Sequence, residues 1–565
     1  MNCDRDESLA GARDAQDMPV RARAVFAEYE RHLQRAQAYH IRGDLGSAAV
    51  YAGIAAHVAQ QPHAGFFVSP RLERLLADIG RRTSEPSQYR RAREPRCGVT
   101  NVLHVCTANL AVGGLTNMLC HWVRSDSKRI HSLALTQHPG PILGSVASTI
   151  QSSGGRVYRL NHQMGGLIAR ARKLRRLAQV HDVVVLHVYG HDVIPSIAFA
   201  EPEKRPPVVL LNHGDHLFWL GAGTSDLVIN LRDAAQDLSI ARRGIEEQRN
   251  IMMPTIVGPT VRERTREEAK RALSLDPGTI LLFSAARAMK YRTMNGVSYA
   301  ETHVSLLKKH PRAILWVLGA GDPPDWRDAS AAVGGRIRAF AETSDTRLFF
   351  EAADIYVDSF PFVSSTSMME AAGYGIPLVS RFYGPREARI FAINHPGLLA
   401  STVHAQTEID YLDNLSNLIE DTILRERAGG AAHDAVVRFH TPPHWLTFLE
   451  AAYKRALELP PIDNSTKFID GTEAFFFGEP DCRQYEIFGF GGDSKDLLKA
   501  YLGQLPGRQR VALWRKLRND GAFSSAAEGM RFLLPEWLVQ VLKDRTVGSD
   551  FLRGAFTVAG RARKN

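Results

Sequence analysis

ADIYVDSFPFVSSTSMMEAAGYGIPLVS, residues 353–380, decides how the chain is read. Ile355, Tyr356 and Val357 form a short run of β-branched and aromatic residues, the signature of a strand. SMMEAAGYG, 367–375, has the composition of a helix, and Tyr374-Gly375-Ile376-Pro377 turns the chain into a second apolar run. Strand, helix and strand in so short a span make a parallel βαβ unit. The loop PFVSST, 361–366, then lies where a strand ends and a helix begins. A helix start offers free N–H groups and the positive end of a dipole, a ready site for phosphate. Ser364, Ser365, Thr366 and Ser367 add hydroxyls there, and Glu370 stands one turn inside. A plainer reading exists, because Ser367-x-x-Glu370 has the spacing of a capping box. The two roles are compatible.

Working outward, the same alternation recurs on both sides. NVLHVCTA, HSLALTQ, GGRVYRL, DVVVLHV, PPVVLLNH and SDLVINL read as strands, with LTNMLCHWVRS and LIARARKLRRLAQ as helices between them. The pattern restarts with the helix RERTREEAKRALSL and the strands TILLFSAAR, AILWVLGAG, DIYVDSF and IPLVSRF. The fold class is therefore α/β, with two tandem doubly wound, Rossmann-like domains. They are expected at 97–258 and 259–457, the second including a return helix, HWLTFLEAAYKRALEL. Residues 1–95 read as a helical region containing a hairpin of tetratricopeptide type, broken at Gly43-Asp44, and one copy does not make a solenoid. Residues 462–565 form a mainly helical extension, expected to be separate from the donor site. Its basic helix PGRQRVALWRKLRNDG could pack on the rest or lie in a membrane interface. In open α/β sheets ligands bind at the carboxyl ends of strands, so two such domains place a cleft between them.

The length of 565 residues suggests roughly three or four domains. A formal net charge of +10 favours anionic ligands and shows no nucleic-acid signature. Five scattered cysteines, none in CxxC spacing, argue against a disulfide framework or zinc site and for a reducing compartment. The charged N-terminus has no signal-peptide core, and no apolar run is long enough to span a bilayer. The expectation is a cytoplasmic protein, with peripheral contact at the inner membrane face as an option. That option rests on the cations Arg170, Arg172, Lys173, Arg175 and Arg176, for which a solvated helix face is the plainer reading.

Several loops at carboxyl ends carry chemistry. LLNHGDHLFWLG places His213, Asp215 and His216 after a strand. A histidine titrates near neutrality and can take a proton from a hydroxyl, so His213 is the first candidate base, with Asp215 or His216 second. His187, His191 and Asp192 close another strand. Gly113 and Gly114 follow the first strand, where glycine permits a tight turn or close approach to a ligand. FSAARAMKYR brings Arg287 and Lys290 to the first strand of the second domain, where cations could stabilise a departing anion.

With these residues in view, the chain resembles the GT-B glycosyltransferases of the nucleotide-sugar-dependent type. Residues 353–380 match the donor-binding motif seen in family 4 (group 1) enzymes and in the O-GlcNAc-transferase-like group. The resemblance implies that Glu370 binds the ribose hydroxyls of the donor nucleotide, and that Ser364, Ser365, Thr366 and Ser367 meet its diphosphate. It also implies that Arg287 and Lys290 neutralise that diphosphate without a metal or other cofactor. A Gly-Gly loop like Gly113-Gly114 often faces the cleft in such enzymes. The chain departs from the family 4 pattern at Phe362, where a second glutamate is usual, which leaves retaining or inverting chemistry open. The implied activity is transfer of a sugar from a UDP- or GDP-sugar to a glycan, lipid-linked or protein acceptor. A sugar-nucleotide epimerase and a non-catalytic interaction platform are the alternatives.

Overall fold

The computed structural model describes residues 4–86, 98–109, 114–294, 296–343, 345–382, 384–463, 478–488 and 494–543, with side chains from residue 20 onward. Cys3, Cys97, Gly113 and the RARKN terminus lie outside the described residues. Among the described residues no helix is long and apolar enough to cross a membrane.

Two all-parallel sheets organise the molecule. The first contains β1 (Asn101–Cys106), β2 (Ile130–Leu135), β3 (Val157–Arg159), β4 (Val183–His187), β5 (Val208–Asn212), β6 (Leu227–Asn230) and β7 (Asn250–Met252), in the order β3-β2-β1-β4-β5-β6-β7. The second contains β8 (Ile280–Ala285), β9 (Ala313–Leu318), β10 (Ile337–Phe340), β11 (Ile355–Val357), β12 (Leu378–Arg381) and β13 (Thr402–Ala405), in the order β10-β9-β8-β11-β12-β13. In each sheet the order reverses direction beside the first strand, so the crevice of a doubly wound fold opens at the carboxyl ends of β1 and β4 and of β8 and β11. This is the tandem architecture that the GT-B resemblance implied. The central strands are near-continuous buried runs of Val, Leu and Ile because helices cover both faces.

Three buried histidines interrupt that apolar pattern. His131, His104 and His187 stand on the adjacent strands β2, β1 and β4. His104 Nε2 lies 2.9 Å from His131 Nδ1, and His104 Nδ1 lies 2.9 Å from His187 Nε2. His131 Nε2 is 3.1 Å from the Asp126 carbonyl. Burial holds His104 and His187 below the ordinary histidine range, so both are neutral at pH 7.

Helix 444–458 follows the second sheet in the chain but packs on the first. Trp445 and Tyr453 sit against Trp122, and the Trp445 indole donates to the Pro254 carbonyl at 2.7 Å. The chain therefore crosses between the two sheets twice.

The terminal regions share one core with the first domain. Helices 4–41, 45–58 and 70–82 bury Tyr29, Leu33, Ile54, Leu72 and Leu76, and that same cluster takes in Leu502, Leu505, Leu513 and Leu517 of the extension. The helix 70–82 sits so close to helix 193–198 that a Cβ on Gly80 would stand 2.4 Å from the Ile197 carbonyl oxygen. The apolar stripe of the extension fills a core shared with residues 29–79, the packed placement of the two left open by the sequence. The expectation for the basic helix 166–178 is corrected, because its five cations do not form one solvated or docking face. Arg175 is buried and donates to the carbonyls of Gly80, Thr83, Ile197 and Ala198. Arg170 is also buried, in an ion pair with Glu536 at 2.9 Å. Lys173 and Arg172 are half-buried, and among the five cations Arg176 alone is exposed. Helix 507–519 likewise buries Leu513 and Leu517, and the Trp514 indole donates to the Gly529 carbonyl.

Candidate active site

The carboxyl ends of the two sheets face each other across a cavity of about 1010 Å³. Its walls include Gly114, His213, His216, Arg287, Lys290, Ser364, Thr366, Ser367 and Glu370, residues spread across the chain that the fold gathers into one place. Of the other candidates named from the sequence, Ser365 occupies the first helical position next to this wall, and Asp215 is turned away from it.

Asp358 at the end of β11 builds the loop. Its Oδ1 accepts the N–H groups of Ser359 and Ser364, at 2.8 and 2.9 Å, and its Oδ2 accepts the Ser380 hydroxyl. These bonds start the helix Ser365–Gly373 with Ser364 as the N-cap. The Ser364 hydroxyl donates to the Ala285 carbonyl and does not cap the helix. No protein acceptor meets the N–H groups of Ser365, Thr366 and Ser367 among the described residues, so the positive end of the helix opens on the cavity. The capping-box reading of Ser367 and Glu370 is therefore corrected: the helix begins earlier, and Glu370 is free of that duty. Its Oε1 instead accepts the Thr346 hydroxyl at 3.1 Å on the cavity wall. Burial raises the Glu370 pKa, and the Thr346 hydrogen bond opposes it.

Lys290 donates to the Val363 carbonyl at 2.8 Å and stands 4.6 Å over the Phe362 ring. Burial lowers its pKa from the ordinary lysine value while Asp358 opposes; burial likewise raises Asp358. Phe362 lies among His216, Phe391 and Phe488, at centroid distances of 4.7, 5.8 and 5.7 Å. Where a glutamate would stand in family 4, an aromatic cluster packs instead. Arg287 is exposed at the cavity rim.

Across the cavity, Gly114 approaches Thr366 at the start of the helix Ser365–Gly373. A Cβ there would come within 2.8 Å of the Thr366 methyl, so glycine is required by the close approach of the two domains. His213 lies on the wall, its Nδ1 3.2 Å from the Leu211 carbonyl. With Nδ1 donating, Nε2 carries the lone pair, and no protein group bonds it among the described residues. Burial lowers the His213 pKa, with the Leu211 carbonyl opposing, which keeps the ring neutral at pH 7.

One candidate base is corrected. Asp215 is buried in a bidentate pair with Arg232, at 2.6 and 2.7 Å. Burial alone would raise its carboxyl, but the guanidinium outweighs it and holds the group well below the carboxylate range. Arg232 also donates to the Ala392 carbonyl of the second domain, so this pair fastens the two domains. His191 lines the cavity but is bonded through Nδ1 to Gln60 at 2.7 Å, and His187 belongs to the buried ladder. His216 lines the cavity between Phe362 and Phe488 and pairs with Asp215 through Nδ1 at 3.3 Å.

Sequence reasoning missed Thr346, Glu342, Arg347, Trp219 and the pair Gln60-Gln61, all on the cavity wall. The glutamines had no local signal, since they reach the cleft only because a π-turn, Ala59–His63, ends the second helix and brings Gln60 to His191.

No family model matches the chain, and no curated protein matches it. Among solved structures, it is similar to an O-GlcNAc transferase mutant from Thermobaculum terrenum, at 15% identity over 77% of this chain and 82% of that one, with a TM-score of 0.47. HepE from Anabaena in complex with UDP and glucose is 14% identical over 62% of this chain and 97% of that one, with a TM-score of 0.46. UDP-GlcNAc 2-epimerase from Neisseria meningitidis bound to UDP-GlcNAc is 13% identical over 60% and 99%, with a TM-score of 0.39. At these values the similarity decides nothing about chemistry; the fold assignment rests on the two sheets themselves.

Proposed function

We propose that the chain is a glycosyltransferase that moves a sugar from a nucleotide-diphosphate donor, a UDP- or GDP-sugar, to an acceptor hydroxyl. What carries the reading is the convergence of Glu370, Lys290, Arg287 and an open helix start on one cavity that faces a neutral histidine on the other domain. Glu370 receives the ribose hydroxyls. The free N–H groups of Ser365, Thr366 and Ser367 and the hydroxyls around them receive the diphosphate. As the bond between the sugar's anomeric carbon and the diphosphate oxygen breaks, charge grows on the departing nucleotide. Lys290 and Arg287 stand where they stabilise it, in a partly buried site where such charges act more strongly than in water. His213 Nε2 takes the proton from the acceptor hydroxyl as it attacks that carbon. The cavity lies at the upper end of the size usual for a single small ligand, which suits two substrates meeting.

Thermal melting with a panel of nucleotides and nucleotide-sugars tests the donor half, because a ligand that binds the folded state raises apparent stability. UDP or GDP raising the melting temperature supports it, while no response to any nucleotide removes the reading. Product analysis with the responding nucleotide-sugar then distinguishes transfer from epimerisation.

A further inference from the structure

The cavity is divided by charge. Every Asp, Glu, Lys and Arg on its described walls, namely Arg287, Lys290, Glu342, Arg347 and Glu370, comes from the second domain. The opposite wall, built from the first domain and residues Gln60 and Gln61, contributes none. It offers neutral hydrogen-bonding groups and aromatic surface. Trp219 is 5% exposed, and its indole N–H has no partner. Arg243 covers the Trp219 ring at 4.7 Å, and Glu73, accepting from the Gly221 and Ala222 N–H groups at 2.6 and 3.1 Å, fixes the turn that follows it. Gln60 gives its Oε1 to His191, which leaves its amide N–H groups free to donate. Gln61 is exposed with an extended backbone inside the π-turn. Asn212 Oδ1 lacks a partner as well.

A buried indole N–H without a partner is costly unless a ligand supplies the acceptor. A wall lacking charge cannot compensate the desolvation of an ionic group, whereas a hydroxyl-rich neutral group loses little there. We infer that this wall is a binding site for an uncharged sugar unit of the acceptor, with the Trp219 N–H, Gln60 and Gln61 as its hydrogen-bonding groups. The histidines of the wall agree, since burial lowers the pKa of His121, His191 and His213 and keeps them neutral. The inference deepens the proposed transferase reading and rests on it for the word acceptor.

The full chain, fluorescently labelled, is applied to an array carrying neutral, acidic and amino-sugar glycans, with and without saturating UDP. Capture on neutral glycans, at least tenfold over acidic or amino-sugar ones of the same size, is expected. Trp219→Phe keeps the ring and removes the N–H; it should weaken capture about threefold to tenfold, the value of one hydrogen bond. Gln61→Ala, at an exposed position, should weaken it by a similar factor and serves if the Trp219 variant fails to fold. UDP affinity, measured by titration, should stay unchanged in both. Preferred capture on acidic or amino-sugar glycans, no capture on neutral ones, or full capture by both variants overturns the inference. Neutral-glycan capture by a chain that binds no UDP or GDP leaves this site standing and removes the transferase reading.

Discussion

Glu370→Gln separates a ligand-binding carboxylate from a helix-capping one. The structure places Glu370 half-buried on the cavity wall, bonded to Thr346 and unconnected to the helix start. Burial raises its folded pKa above 4.5. The sign follows: at pH values between the unfolded and the folded pKa, the folded state holds more protons, so this group makes stability fall as pH rises through that window. Replacing it by glutamine removes the buried charge while keeping an oxygen for Thr346. The unliganded variant should therefore melt at or slightly above the wild-type temperature at pH 7. Nucleotide binding should suffer instead. A charge-assisted hydrogen bond to ribose is worth about 1.5–3 kcal/mol, which weakens affinity by about 10- to 150-fold. Titration calorimetry with UDP and GDP, paired with thermal melting without ligand, reads both quantities. Equal affinities with a lowered melting temperature would refute the reasoning, because that is the behaviour of a structural carboxylate.

His213→Ala should lower turnover by about 10²–10⁴-fold with donor affinity within twofold, and the acidic limb of the wild-type rate profile, lying below the ordinary histidine value because burial lowers this pKa, should vanish in the variant. Gly114→Ala should impair nucleotide binding by pushing on the Thr366 methyl, and the added Thr366→Ser change, which deletes that methyl, should restore it; the double-mutant cycle fails if the two losses simply add. Burial raises the pKa of Glu73 to about 7, so the wild type should lose stability between about pH 4.5 and 7, by about 3 kcal/mol at most, and Glu73→Gln should flatten that slope in melts across the range. Truncation after Pro461 removes Leu502, Leu505, Leu513 and Leu517 from the shared core, each worth about 1.5–3 kcal/mol of burial; an insoluble or markedly less stable protein is expected, and a shortened chain with an unchanged melting temperature would contradict the packing described.

The periodicity of the sequence was enough to place the long central strands, because a strand buried on both faces must be apolar throughout. β7, β10 and β13 escaped it: each is three or four residues long and carries polar residues at a sheet edge. That the loop 361–366 and Glu370 reach one cavity was legible because the hydroxyls and the glutamate are adjacent in sequence. The roles of Ser367 and Asp215 were misread for a common reason. Whether a carboxylate caps, pairs or waits for a ligand depends on partners far along the chain, here Thr346 for Glu370 and Arg232 for Asp215. Likewise, the arginines of helix 166–178 look like a basic surface until residues 80–83, 197–198 and 536 arrive to cover them.

The histidine ladder sets a condition that the apolar strands cannot. In β1, β2 and β4 one valine or leucine is nearly as good as the next but one, so a slip of two residues would keep every side chain on its own face. Val102 opposes His131 and Cys106 opposes His187 in the observed register, and only this alignment brings the imidazoles to 2.9 Å. The neutral rings of His104 and His187 pass a direction along the row. Where His131 donates from Nε2 to the Asp126 carbonyl and keeps a lone pair on Nδ1, His104 must donate to His131 and His187 to His104, which leaves the His187 Nδ1 as a bare lone pair, the very atom without a partner. The partner at one margin thereby passes its hydrogen-bond direction to the rings of His104 and His187. The same row of protons rules out the mispaired sheet that the valines and leucines alone would accept.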